Sequence, residues 1–363
     1  MKKEIDFRCP KCQGLLVETK NSFLCDKCRI DWNLREGIPS FLESDFYWSD
    51  EVSKTEAVKL LKIAKEKGWR IALHDVLRSS HRNDYRIISD LRRADFRFLM
   101  PLNKESIVLD IGCGWGAITV ALSKVCRAVV GLDATFEYVR SLEIRRQQEK
   151  MLNIFPVHGG VTLRFPLPED YFDAAIMVGV LEWAGVVHRS LKPRQAQKNL
   201  LLNVFKVLKP GGHLYIGIEN RYGYNYLMGR PDHNGVRFVS LMPRKLADIA
   251  SRIVTGAAYR TYQYSLGGYA KLLQEVGFCE IEFYAPLPEY HEPHYFLPLE
   301  NVNVTKYFLN NLLDSFELGS PKMREKYRVQ YQIGKLGAKM ALHLGFARFV
   351  KYVVPSYGIL AKK

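Results

Sequence analysis

The sequence predicts an α/β protein: a mainly parallel sheet with helices on both faces, preceded by a small four-cysteine unit. Three observations carry this expectation. Strand-like and helix-like patterns alternate from Ser106 onward, a glycine-rich turn closes the first strand of that run, and two Cys-x-x-Cys pairs stand near the N-terminus. Alternation of this kind forces crossover connections, and crossovers give parallel strands covered on both faces. At 363 residues the chain exceeds one average domain. The expected division is a ribbon over 1–42, a helical lead-in over 43–102, a main domain over 103–290 with an insertion at about 220–268, and a basic C-terminal extension over 291–363.

The N-terminal pairs are Cys9-Pro10-Lys11-Cys12 and Cys25-Asp26-Lys27-Cys28. Each turn can set two thiolates on one side of a metal, and two turns complete the sulfur cage that zinc accepts. Cys9, Cys12, Cys25 and Cys28 are therefore the candidate zinc ligands. Too few apolar residues separate them to fold unaided, so the metal is expected to supply the folding free energy of this unit. The other cysteines, Cys113, Cys126 and Cys279, stand alone in apolar surroundings, unlike a secreted disulfide framework. No run reaches the roughly 20 apolar residues of a membrane span, and MKKEIDFRCP lacks the apolar core of a secretory signal. The expectation is a cytoplasmic protein without a transmembrane segment.

With 47% of residues hydrophobic and 25% charged, the composition is that of a globular protein with a sizeable core, and disorder is not the default. A net charge of +15 points to something anionic, which charge alone does not identify. In the lead-in, Ala57, Leu60, Leu61 and Ala64, then Leu73, Val76 and Leu77, recur at helical spacing. The basic run Arg82, Arg86, Arg92, Arg93, Arg97 is interleaved with Asp84, Asp90 and Asp95, and reads as a solvated, ion-paired helical face. Helices are expected over Ala117 to Val125, Val139 to Lys150, Gln195 to Leu208 and Tyr269 to Val276, with a turn at Lys209-Pro210-Gly211-Gly212. Toward the C-terminus, Ile333, Leu336, Met340, Leu344 and Phe349 recur among basic residues. That pattern reads as an amphipathic helix, packed on its own domain or in peripheral contact with a membrane or anionic partner.

The chemistry concentrates where Val108-Leu109-Asp110-Ile111 runs into Gly112-Cys113-Gly114-Trp115-Gly116. Bare glycines let a ligand approach the backbone. Such a turn alone is weak evidence, because dinucleotide proteins use a similar one. Asp110, at the strand end, changes the balance: a carboxylate there repels a pyrophosphate and favours a cationic ligand. Asp133 ends the next strand, where an acid accepts hydrogen bonds from ribose hydroxyls. The site reads as one for a positively charged nucleoside.

These residues, with the later helix-turn-strand VFKVLKPGGHLYI, resemble class I S-adenosylmethionine-dependent methyltransferases, close in style to the ubiquinone-type branch, over about Ser106 to Val276. The resemblance implies a Rossmann-like, seven-stranded fold and S-adenosylmethionine as cofactor. It implies that Asp110 organises the amino-acid end of the donor, that Gly112, Gly114 and Gly116 underlie its methionine part, and that Asp133 binds its ribose. Many relatives carry an acid after the third strand, where this chain has Gly159-Gly160-Val161, so backbone at Gly160 and Val161 would stand in at the adenine. Val178 and the segment through Glu182-Trp183 resemble the stretch that closes over the cofactor; Glu182 either steers substrate or caps the next helix.

Methyl transfer to a hydroxyl needs positioning and proton removal. His233, Glu219, His291 and His294 are the candidate catalytic residues, His233 first, with a structural loop role as the alternative for each histidine and an edge-strand ion pair as the alternative for Glu219. Tyr222, Tyr224, Tyr226, Tyr262 and Tyr264 suit stacking on sugars, and Arg221, Arg230 and Arg237 suit an anion, although loop packing is the default for most of the tyrosines. IENRYGYNYLMGRPDHNG and VPSYGILAKK resemble methyltransferases of bacterial glycan gene sets. The leading expectation is O-methylation of a sugar-containing or other small acceptor. The second is RNA methylation, since the ribbon resembles those of rRNA guanine methyltransferases and of zinc proteins that partner tRNA methyltransferases. The third is a non-catalytic, methyltransferase-like scaffold.

Overall fold

The computed structural model of the chain describes residues 5–42, 46–47, 52–78, 82–160, 164–317 and 328–363. The N-terminal ribbon is a four-stranded antiparallel sheet of β1 (Val17–Glu18), β2 (Ser22–Cys25), β3 (Ile30–Arg35) and β4 (Ile38–Pro39), paired in that order. Its aromatic residues Phe7, Phe23, Trp32 and Phe41 are buried, with ring centroids 5.0 to 6.0 Å apart. They do not close a core of their own. The same cluster continues into Leu132, Val157, Phe165 and Leu167 of the main domain. The ribbon is therefore not the self-contained unit that the sequence pattern led us to expect; so few apolar residues complete their burial only against a neighbour.

Helices α1 (Lys54–Lys67), α2 (Trp69–Leu77) and α3 (Arg82–Ser89) and a 3₁₀ segment (Leu91–Leu99) form the lead-in. A reciprocal capping box between Ser53 and Glu56 starts α1, which buries Ala57, Leu60 and Ala64 as the spacing predicts.

The main sheet has eight strands. Five run parallel: β5 (Ile107–Ile111), β6 (Ala128–Asp133), β7 (Ile154–His158), β8 (Phe172–Val178) and β9 (Leu208–Glu219). Between them lie α4 (Ala117–Ser123), α5 (Phe136–Gln148), the short α6 (Ala184–Val187) and α7 (Pro193–Val207). The turn expected at Lys209 to Gly212 instead lies within β9, where the pairing with β8 slips. The insertion holds α8 (Tyr224–Leu227) and α9 (Arg244–Thr255), and α10 (Leu266–Gln274) leads to β10 (Cys279–Leu287) and β11 (Tyr295–Pro298). After α11 (Val302–Glu317) and α12 (Arg328–His343), the chain ends in β12 (Ser356–Lys362).

The strand order is β11-β10-β12-β9-β8-β5-β6-β7. β12 lies antiparallel between β9 and β10, with Ser356 opposite Glu219 and Lys362 opposite His213. Two expectations change. The sheet does not end at residue 290, because one of its interior strands comes from the chain's last residues; and β11 adds an eighth, edge strand to the seven. Alternate residues of β5 and β8 feed two cores. Leu109, Ile111, Ala175 and Met177 face one that includes Leu201 of α7 and Leu272 of α10, while Val108, Ala174 and Ile176 face Ile118 and Leu122 of α4. Helices thus cover both faces, as a period-2 pleat with two buried sides requires.

In α12 and the turn after it, Ile333, Leu336, Met340, Leu344 and Phe349 are all exposed. The expected helix is present, and these five side chains are solvent-exposed.

Candidate active site

Strand order reverses between β5 and β8: the chain passes from β5 outward to β6 and β7, then returns to place β8 on the other side of β5. Helices leave opposite faces there, and a crevice opens at the carboxyl ends of the two strands. A cavity of about 330 Å³ occupies it.

Its floor is the glycine turn. Gly112 and Cys113 donate backbone N–H groups to Leu132 O, at 2.8 and 3.2 Å. Gly112 has φ +66, and a Cβ there would lie 2.5 Å from Val180 Cγ2, so both backbone shape and packing require glycine. Gly114, at φ +52, has open space where a Cβ would be. Gly112, Gly114, Asp133, Gly160, Val178 and Glu182 all line the cavity.

Two expected donor residues do not line the cavity, and a third falls outside the described residues. Asp110 lies beneath the turn, buried, and accepts a 2.6 Å hydrogen bond from Thr119 Oγ1 on α4. It ties strand to helix and does not line the cavity, because the last turn of β5 points its side chain under the loop. Gly116 caps α4 in the left-handed conformation, and Leu142 Cδ1 lies 2.5 Å from where a Cβ would be. It permits close packing of α5 and is not a cavity residue. Val161 lies outside the described residues.

Asp133 accepts from Gly114 N at 2.9 Å and Thr135 N at 2.8 Å, so one carboxylate bonds the glycine turn and the start of α5 together. Burial raises the pKa values of Asp133 and Asp110 to about 6, outweighing the hydrogen bonds that lower them. Arg93, which the sequence places on a solvated face, lines the cavity instead. Its neighbours Arg92 and Asp90 do form the expected exposed ion pair, at 2.6 Å.

The rest of the wall comes from the segment after β8 and from two loops. Trp183, His233, Tyr290 and His291 line it. His233 Nε2 lies 3.2 Å from Glu219 Oε1, which also accepts from Tyr290 Oη at 2.8 Å. The Trp183 and His233 rings lie 4.7 Å apart. Asp232, bonded to Tyr259 Oη at 2.7 Å, accepts from the His233 backbone N–H and fixes its loop. Burial works against the charged form of His233, but Glu219, then Glu182 and Asp232, outweigh it and raise the pKa to about 10. Reciprocally, His233 holds Glu219 below the usual carboxylate range. Both shifts favour an imidazolium paired with a carboxylate over the neutral pair, which works against His233 serving as a base while Glu219 stays beside it. Glu182, Glu219 and His233 also bring one ligand atom each within 4.8 Å of one another, a set that could take a cation in place of the proton.

His291 is pushed the other way: burial, then Arg93, lowers its pKa to about 4. His294 is exposed and does not line the cavity, since β11 begins there and carries it outward. None of Tyr222, Tyr224, Tyr226, Tyr262 and Tyr264 lines the cavity; Tyr226 Oη accepts from Gln263 Nε2 at 2.9 Å inside the insertion's own core. Arg221 donates to the carbonyls of Ser240 and Met242, and Arg230 pairs with Glu289 at 3.0 Å. Tyr290 and Arg93 are cavity residues that sequence reasoning missed, whereas Trp183 belongs to the segment expected to close over the cofactor. Tyr290 stands beside His291, which was the available signal.

In the ribbon, the Sγ atoms of Cys9, Cys12, Cys25 and Cys28 lie within 4.8 Å of one another, Cys12 to Cys25 at 3.5 Å and Cys9 to Cys28 at 4.0 Å. These separations are too long for disulfides and bracket the roughly 3.8 Å edge of a tetrahedron with zinc–sulfur bonds of about 2.3 Å.

A family described as "Methyltransferase domain" matches residues 109–216. The mitochondrial ubiquinone biosynthesis O-methyltransferase of Rattus norvegicus is 26% identical over 156 residues, covering 39% of this chain and 42% of the relative. Its Homo sapiens counterpart is 26% identical over 124 residues, covering 34% and 31%. The chain spans less than half the length of these curated relatives. A solved structure of Haemonchus contortus phosphoethanolamine N-methyltransferase 2 with S-adenosyl-L-methionine superposes at a TM-score of 0.43 and 15% identity, covering 87% of this chain and 61% of that one. That similarity is too distant to bear on function. The matched segment runs from β5 to β9 and contains the glycine turn, Asp133 and Glu182; the strand order is that of a Rossmann-like class I methyltransferase fold, and over this segment the chain is similar to the methyltransferase-domain family.

Proposed function

We propose that this chain transfers a methyl group from S-adenosylmethionine to an oxygen of a small acceptor. The observation that carries this reading is His233, packed on Trp183 and paired with the buried Glu219, on the wall of the cavity that holds the glycine turn and Asp133. The cavity fits the donor: Gly114 leaves a bare backbone face, Asp133 offers a carboxylate for ribose hydroxyls, and Arg93 is a cation suited to the methionine carboxylate. When bound, the donor supplies an electrophilic methyl group on a sulfonium. Trp183 and Tyr290 exclude water and give flat surfaces for the acceptor. His233, held as an imidazolium by Glu219, stabilises a negatively charged acceptor oxygen. An acceptor hydroxyl that ionises readily suits this wall better than an alcohol needing a strong base. The O-methyl transfer named in the ubiquinone-pathway relatives points the same way.

We further assign a structural zinc ion to Cys9, Cys12, Cys25 and Cys28, because their spacing matches a tetrahedral sulfur cage and all four positions carry thiols. RNA is the second acceptor reading, favoured by the net charge of +15. Incubation with methyl-labelled donor, extracted RNA and a panel of phenols and sugars separates the two. Label in the small molecules supports the first reading, and label confined to RNA defeats it. Calorimetric uptake of a nicotinamide or flavin coenzyme, with none of the methyl donor or S-adenosylhomocysteine, defeats both.

A further inference from the structure

The donor cavity has one wall built from adjacent strand ends: Asp133, Ala134 and Thr135 after β6, and Gly159 and Gly160 after β7. Two consecutive glycines, one at φ +106, make that wall costly to order. The ribbon meets it along three lines. The first cysteine knuckle docks on the loop after it: Arg8 N donates to Pro166 O at 3.1 Å, and Gln13 Nε2 reaches both Cys9 O and Phe165 O, at 3.1 and 3.2 Å. The β3–β4 turn grips α5: the Arg35 guanidinium lies 3.8 Å over the Phe136 ring, and Ile38 packs with Phe136 and Val139. The residues after β4 reach β7 itself: Phe41 N donates to His158 O at 2.9 Å, and Phe41 Cβ lies 3.7 Å from where a Gly159 Cβ would be.

His158 is the joint. Its ring is buried, with Nδ1 2.8 Å from Ser40 Oγ and Nε2 3.0 Å from Ala134 O. A carbonyl only accepts, so Nε2 carries a proton, and in the neutral ring Nδ1 accepts from the Ser40 hydroxyl. Ser40 thereby sets the ring so that it holds the backbone between Asp133 and Thr135, the carboxylate and the helix start that frame the donor's ribose end.

We propose that the metal-held ribbon is a strut of the donor site, and that Ser40 and His158 are positioning residues through which it orders the cavity wall; this rests on the donor binding proposed above. Zinc on the four cysteines fixes the knuckle and β4, the contacts with residues 165–166 and His158 transmit that order, and donor binding meets a wall already formed. Coupling between two sites is reciprocal, so the donor also holds the metal.

Calorimetry on the full chain with S-adenosylhomocysteine tests this. Ser40→Ala removes the hydroxyl that orients the His158 ring through Nδ1, and is expected to weaken binding about fivefold with the zinc content unchanged. Ser40→Thr keeps the hydroxyl and stays within about twofold of wild type. Stripping the zinc with a chelator is expected to weaken S-adenosylhomocysteine at least about tenfold, and saturating S-adenosylhomocysteine to slow zinc release by a similar factor. A dissociation constant indifferent to Ser40→Ala overturns the proposal even if the metal-free chain unfolds. So does a loss in Ser40→Ala that threonine does not repair, or zinc release indifferent to the ligand. Absence of any uptake by the zinc-replete wild type defeats the donor reading and this one with it, whereas uptake that ignores both metal and Ser40 defeats this one alone.

Discussion

Glu219→Gln keeps the shape of a buried side chain that pairs with His233 of the cavity wall and removes its charge. Glu219 Oε1 lies 3.2 Å from His233 Nε2, and the two side chains are 8% and 19% exposed. Removing one partner of so buried a pair costs about 3–5 kcal/mol, most of it from the charge left uncompensated. The pH dependence identifies the cause. The folded His233 pKa, raised to about 10, lies above its ordinary 6.5, so the stability it contributes is fully present below pH 6.5 and is lost as pH rises through about 10. The gap between wild type and Glu219→Gln, measured by urea unfolding, is therefore expected to be about 3–5 kcal/mol at pH 6 and to shrink steadily toward pH 10. Glutamine still accepts from Tyr290 Oη, so loss of that hydrogen bond does not confound the comparison. Imidazole proton resonances offer a direct check on the His233 pKa. A gap that stays constant across pH, or a wild-type His233 that titrates near its ordinary value, refutes the imidazolium reading and returns His233 to candidacy as a base.

Gly112→Ala combines a left-handed backbone, costing about 1–2 kcal/mol, with a 2.5 Å approach to Val180 that costs a further 1–3 kcal/mol or so to relieve. Urea unfolding of the single variant and of the pair with Val180→Ala is expected to show the second change recovering only the packing part. Because burial raises the Asp133 pKa to about 6, and ribose binding needs the ionised acceptor, S-adenosylhomocysteine affinity should fall about tenfold per pH unit below that point; calorimetry on Asp133→Asn should show weaker, pH-independent binding. Phe41→Ala, at a fully buried ring shared by the ribbon and the sheet, should cost about 3–5 kcal/mol and lower a single unfolding transition. A separate ribbon transition in calorimetry would contradict the shared core.

How much of this was legible in the sequence varies by residue, for physical reasons. The glycine turn and Asp133 were readable because the backbone geometry of strand ends demands those residue types, and Glu182 and His233 are among the named residues that the fold brings to the cavity. Asp110 was found at the strand end, but its hydrogen bond from Thr119 on α4 was not legible, since spacing shows that an acid ends the strand and not which way its side chain turns. Arg93 was missed because its neighbours Arg92 and Asp90 do form a surface pair, and one helical step separates the solvated face from the cavity.

The sequence by itself determined the local units: the βα alternation, the two cysteine knuckles, the capped lead-in helix and the glycine-rich strand end. Each is set by contacts within a few residues, where periodicity and backbone sterics act. Only the tertiary structure decided that the last strand inserts between β9 and β10, that the ribbon shares its core with the main domain, and that Glu219 charges His233. These depend on residues brought together from distant parts of the chain, whose hydrogen bonding, burial and electrostatic fields do not exist until the sheet has formed.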